Sequence, residues 1–240
     1  MTAAPAALAL PHASADPSRR TALIAGLLYL VTFASAIPAV FLLDPVLHDP
    51  AYVVGPGADG RVTLGALLDL VNALACIGTA VALFSVVKRE HEGLALAFVT
   101  SRLVEAAVIL IGVVCLLAVV TLRRDPAGAD PATLVAVSHG LVAVRDWTFL
   151  LGPSLMPALN ALALGTLLYR SGLVPRLLPT LGLVGAPLLI ASTVGTLFGV
   201  NDGGSAWTGI ATLPIFLWEL GLGLWLTFRG FRPQATQGVA

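Results

Sequence analysis

The sequence predicts an all-α integral membrane protein: one bundle of six transmembrane helices with a short extra helix on the outer surface. Three observations carry this reading. Hydrophobic residues fill 58 % of the 240 positions and charged residues only 11 %, with a mean hydropathy of +0.94, whereas about a quarter of a soluble domain is charged. Six stretches are long and apolar enough to cross a bilayer, which takes about 20 residues in a helix that satisfies its own backbone. Four ionisable residues, Asp69, Arg102, Glu105 and Glu219, lie inside those stretches.

Residues 1–18 are rich in Ala and Pro without periodicity and read as a disordered cytoplasmic tail. Arg19, Arg20 and the apolar run to Ala34-Ser35-Ala36 imitate a twin-arginine signal peptide. The run continues past that point to Leu43, so it reads as the first span, 21–43. The second and third spans are placed at 62–87 and 94–122, and the last three near 147–169, 177–200 and 206–228. The apolar segment 132–144 is too short to cross alone. One helix over 132–169 would far exceed the bilayer, so 132–144 is expected as a separate helix on the outer surface. Residues 19–232 thus form the membrane domain, and 233–240 a second disordered tail.

Orientation follows from the basic residues. With the N-terminus inside, Arg19, Arg20, Lys88, Arg89, Arg170, Arg176, Arg229 and Arg232 are cytoplasmic, against Arg61, Arg123, Arg124 and Arg145 outside. Eight against four predicts both termini on the cytoplasmic side. Kinks are expected at Pro38, Pro153, Pro157, Pro187 and Pro214. Gly195 and Gly199, with Gly182, Gly185, Gly221 and Gly223, are expected to let the last two helices approach closely. Tyr29, Trp147, Tyr169, Trp207 and Trp225 lie toward span ends as interfacial anchors. Cys76 and Cys115 read as small apolar core residues rather than a disulfide or metal pair.

The net charge is zero, which gives no sign of nucleic-acid binding. At about 1.5 Å per residue, Arg102 and Glu219 each lie roughly 12 to 13 Å from the cytoplasmic end of their helices. Asn160 falls near that layer, and Glu105, Asn72 and Asp69 lie progressively further out. Arg102 and Glu105 share a helix face, as do Asp69 and Asn72. A charge at the bilayer centre costs about 2.5 to 3.5 kcal/mol on insertion scales, so these groups are expected in one interior cluster. One arginine against three carboxylates leaves two negative charges uncompensated. The excess requires a protonated acid, a bound cation or an outer positive group such as Arg145. Two readings stand side by side: a salt bridge from Arg102 to Glu219 as structural glue, or a site for a polar ligand, a lipid headgroup or a proton.

His139 and Asp146, seven residues apart, share a helix face and with Asp69 suggest a metal site and an activated water. The simpler reading is a hydrogen-bonded histidine with no metal. Arg145 beside Asp146 reads as an interfacial pair. No nucleotide-binding, HExxH or nucleophile-elbow motif is present, and no cofactor is implied.

Four segments in order, RRTALIAGLLYL at Arg19–Leu30, SRLVEA at Ser101–Ala106, RSGLVPRLLPTLG at Arg170–Gly182 and WELGLGLW at Trp218–Trp225, carry a resemblance. The chain resembles the domain of unknown function 4386 family, bacterial multi-helix membrane proteins, from about Arg19 to Phe231. Members typically carry Phe where this chain has Ser101. The resemblance implies the architecture and no reaction, substrate or cofactor. Three function classes follow. The first, non-enzymatic, is binding or movement of a small polar or amphiphilic molecule, or a proton, at the cluster. The second is a membrane-embedded hydrolase or transferase acting on lipid, and the third an assembly or regulatory partner. Besides the bilayer, the expected partner is a small molecule, a lipid or a proton.

Overall fold

The computed structural model describes residues 17–233, and the two expected tails fall almost wholly outside them. The described chain is helical throughout: α1 (Pro17–His48), α2 (Asp59–Val87), α3 (Glu92–Arg124), α4 (Pro131–Phe149), a π-helical turn (Leu150–Ser154), α5 (Met156–Ser171), α6 (Leu177–Leu197) and α7 (Ala206–Phe228). Six helical segments are long and apolar enough to span a membrane, with α4, the π turn and α5 counting as one. Phe41, Val81 and Val114 each expose about two thirds of their surface at mid-helix, as an apolar solvent demands.

One boundary differs from expectation. The segment 132–144 is not a separate surface helix: it is the first part of a continuous rod from Pro131 to Ser171. The physical reason is packing. Leu134 and Ser138 are buried, Leu134 among Leu116, Val119 and Val120 of α3, so this stretch has a protein partner rather than an interface to lie on. The rod adjusts at Pro153, which lacks an amide donor and sits inside the π turn, where wider hydrogen-bond spacing absorbs the missing bond.

Each span packs on its neighbours in sequence, and α7 returns to α1, closing a ring of six. Glycines set the closest approaches. A side chain at Gly26 of α1 or Gly223 of α7 would run into the other helix or its side chains, and Gly182 and Gly185 of α6 lie against Trp218, Pro214 and Ile215 of α7. The Gly195 and Gly199 pair, expected to serve the same contact, does not: Gly195 faces Asn201, and Gly199 ends the turn after α6 with φ +70°. That left-handed conformation suits glycine.

The start of α1 and the end of α7 lie at one end of the bundle, where Arg19 donates to the last carbonyls of α7 at Leu226, Thr227 and Phe228. At the opposite, far end, Asp59 accepts from Arg123, Arg124 and the Tyr52 hydroxyl at 2.9 to 3.1 Å, tying α2, α3 and the loop after α1 together. Asp130 caps α4: the Thr133 hydroxyl and the amides of Ala132 and Thr133 donate to it, holding its carboxyl below the usual carboxylate range.

Candidate functional site

The sequence-chosen polar residues separate into two sites at different depths. The first lies toward the end that carries both chain termini and draws on five helices. Arg102, 1 % exposed, donates from Nη1 to Glu105 Oε2 at 3.0 Å and from Nη2 to Glu219 Oε1 at 2.6 Å. Asn160 of α5 donates to the same Glu105 oxygen at 2.7 Å, and the Ser101 hydroxyl lies 2.5 Å from Asn160 Oδ1. Cys76 Sγ of α2 lies 3.6 Å from Arg102 Nη1 and 3.9 Å from Asn72 Oδ1. The guanidinium sits over the Tyr29 ring, 5.0 Å from its centroid. One arginine therefore links α3 to α7 directly and, through Glu105 and Asn160, to α5.

This network is dense but incomplete. The Tyr29 hydroxyl and Arg102 Nε are buried without a protein partner, and a buried polar atom normally finds water or a ligand. Apolar packing surrounds the network: Tyr29, Phe98, Leu164 and Trp218 belong to one buried cluster on this side of the molecule.

The second site lies toward the far end. Asp69 is not part of the Arg102 network; its partner is Arg145 of α4, with Arg145 Nη2 3.9 Å from Asp69 Oδ2. The correction is one of azimuth. Asp69 has a depth that permits the single cluster expected from the sequence, but its side of α2 faces α4. The pair lines a cavity of ≈ 360 Å³ whose wall comes from α1, α2, α3, α4, the π turn and α7, including Ile37, Val40, Asn72, Ile109 and Phe216. Asn72 thus stands between the two sites, bonded toward Cys76 and lining the cavity. The Arg145 guanidinium, in a residue 7 % exposed, packs 4.5 Å from the Phe149 ring centroid. Among the described residues its side chain makes no hydrogen bond at all, although it carries five N–H donors.

His139 is exposed on α4 and lines neither site, while Asp146 points to a different cavity from Asp69. The three do not converge, and among the described residues no group of three His, Cys, Asp or Glu is placed to hold a metal ion.

The residues that build both sites lie within one matched span. The family model described as Domain of unknown function (DUF4386) covers residues 24–230. The chain belongs to the DUF4386 family. No curated protein and no solved structure matches it. The DUF4386 description assigns no chemistry, so the reading of these sites rests on their geometry.

Three members of the first site in this DUF4386 protein were not chosen from the sequence. Tyr29, read as an interfacial anchor, is fully buried against Arg102. Cys76 is more than an apolar filler, since its sulfur contacts the guanidinium. The Ser101 hydroxyl, on the same turn as Arg102, meets Asn160 Oδ1. A usable signal existed for Cys76 alone: with Asn72 and Thr79 it forms a polar stripe at helical spacing on α2.

Proposed function

We propose that this protein binds a small amphiphilic molecule in the cavity that holds Asp69 and Arg145. One observation carries the reading: a buried guanidinium with unused donors lines a largely apolar chamber beside a carboxylate that also lacks hydrogen bonds. Five donors beside one acceptor-only group suit a ligand head that both accepts and donates, such as an amide, a carboxylic acid or a hydroxyl. Apolar side chains along the wall suit a hydrocarbon tail. In this reading the Arg102 network is the rigid floor, fixing α3 against α5 and α7 so that the chamber keeps its shape.

Supporting the location, the family resemblance is to bacterial proteins, and the basic residues near helix ends favour the termini side by eight to four. The bundle then sits in a bacterial plasma membrane with both termini cytoplasmic and the chamber in the outer half.

The test is equilibrium binding of decanamide to protein in lipid nanodiscs, with empty nanodiscs as the partition control. Saturable binding is expected, and Arg145→Gln weakens it about tenfold, the value of one lost charge-assisted hydrogen bond. The double variant Asp69→Asn, Arg145→Gln keeps the pair neutral and guards against misfolding. Equal affinity for the wild type and both variants rejects the proposal.

A further inference from the structure

A second chamber opens on the other side of α4, and nothing in the proposed function uses it. It measures ≈ 360 Å³ and is lined by Asp146, Trp147, Phe149, Leu150 and Ser154 from α4 and the π turn, by Leu189, Ser192, Thr193 and Thr196 from α6, and by Gly203 and Thr208. It exists because α4 packs on α3, whereas α6 meets the rod mainly at α5 and to a lesser extent at the π turn. α4 therefore stands away from α6 and α7 above that point.

The wall of this chamber carries a single ionisable side chain, Asp146, and its carboxylate takes part in no ion pair or hydrogen bond among the described residues. Neighbouring Arg145 pairs with Asp69 in the other chamber, and it acts on the exposed Asp146 carboxylate through charge alone, as His48 does more weakly. The hydroxyls divide into two sets. Ser192 and Thr208 are engaged with each other at 3.1 Å, and Thr208 also meets Ser205 and Asn201. Thr193 Oγ1, in a residue 2 % exposed, is buried with no partner, and Ser154 makes no side-chain hydrogen bond among the described residues. The wall adds two aromatic rings, Trp147 and Phe149, and two leucines.

We propose that this chamber is a binding site for a primary alkylammonium or arylalkylammonium cation. An ammonium group has three donors and no acceptor. The chamber offers one carboxylate, two unused hydroxyl acceptors and the electron-rich ring of Trp147, each of which favours a cation, while the Phe149 ring already carries Arg145. The absence of any basic wall residue argues against an anion, and a single carboxylate is too few for a divalent ion. The leucines take the hydrocarbon part. The two chambers meet at Phe149, which lines both, while Asp69 and Arg145 line only the first.

The experiment measures binding of n-hexylammonium, n-hexanol and n-hexanoate at pH 7 to the protein in lipid nanodiscs, by calorimetry against empty nanodiscs. Saturable binding of hexylammonium is the expected result, and Asp146→Asn weakens it at least tenfold while leaving unchanged any binding of hexanol and hexanoate, whose heads suit the other chamber. Thr193→Val weakens hexylammonium binding several-fold. Thermal unfolding of each variant confirms that it is folded, and Asp146→Glu is expected to retain binding of the cation. Full hexylammonium affinity in Asp146→Asn, or an equal loss of all three probes in that variant, overturns the proposal. Loss of binding in Asp69→Asn with retention in Asp146→Asn moves the cation to the other chamber and equally overturns it.

Discussion

Arg102 pairs with two carboxylates through one positive charge, so the three groups are unequal in what their removal does. Replacing Arg102 with Leu strands Glu105 and Glu219 together in a site where Arg102 and Glu105 are under 5 % exposed. The loss expected is about 3 to 5 kcal/mol, the usual consequence of leaving a buried charge unpaired. Glu219→Gln keeps an acceptor for Nη2 and leaves a one-to-one pair of Arg102 with Glu105, so about 1 to 2 kcal/mol is expected. Unfolding of both variants in mixed micelles with rising SDS fraction ranks them, and the reverse order would falsify the assignment of Arg102 as the shared partner. Depth of these residues was readable from the sequence, because 1.5 Å per residue from a helix end locates Arg102 and Glu219 in one layer. Tyr29 escaped notice for the opposite reason: its position toward a span end says nothing about whether the ring faces lipid or Arg102.

At the scale of the element, glycine positions on neighbouring helices have opposite consequences. A Cβ at Gly185 of α6 would stand 2.8 Å from Pro214 Cβ and 3.1 Å from the Ile215 amide nitrogen, neither of which can swing aside. Gly185→Val is therefore expected to lose about 1 to 3 kcal/mol by overpacking. Gly140 of α4 has nothing within 4 Å of the same position, so Gly140→Ala gains up to about 1 kcal/mol of helix propensity. Thermal unfolding of the two variants checks both signs. The cap of α4 adds a pH signature. Asp130 has its folded carboxyl lowered by Thr133 and two amides, so its contribution is present above the unfolded value near pH ~4 and is lost as pH falls through the folded value. Asp130→Ala should lower stability at pH 7, and the gap to wild type should close in stronger acid. Proline at 153 was legible as a disturbance, but its form, a π turn inside a rod that continues, was not. Whether a helix breaks, bends or widens at proline depends on what packs around it.

For the whole molecule, six spans place the start of α1 and the end of α7 on one side, and Arg19 on the carbonyls of Leu226, Thr227 and Phe228 joins them. With eight basic residues at that side against four at the other, a fluorescent protein fused after α7 should fold and glow in the cytoplasm. Alkaline phosphatase inserted in the loop 125–130 should be active outside. The opposite pair of signals reverses the orientation and places both chambers in the inner half. The closed ring also explains why two chambers sit on either side of α4. A ring of six helices cannot fill its middle everywhere, and the gap falls where α4 leans on α3.

Hydrophobic length, helix number and the layer each charged residue occupies came from the sequence alone, because lipid enforces them residue by residue along one axis. The bundle's packing decided the angle at which each side chain leaves its helix. That angle separates Asp69 from Arg102 and gives it Arg145, and it divides Arg145 from Asp146 between two chambers. Rotation about a helix axis is set by which neighbours interlock across the ring, and no local run of residues carries that information.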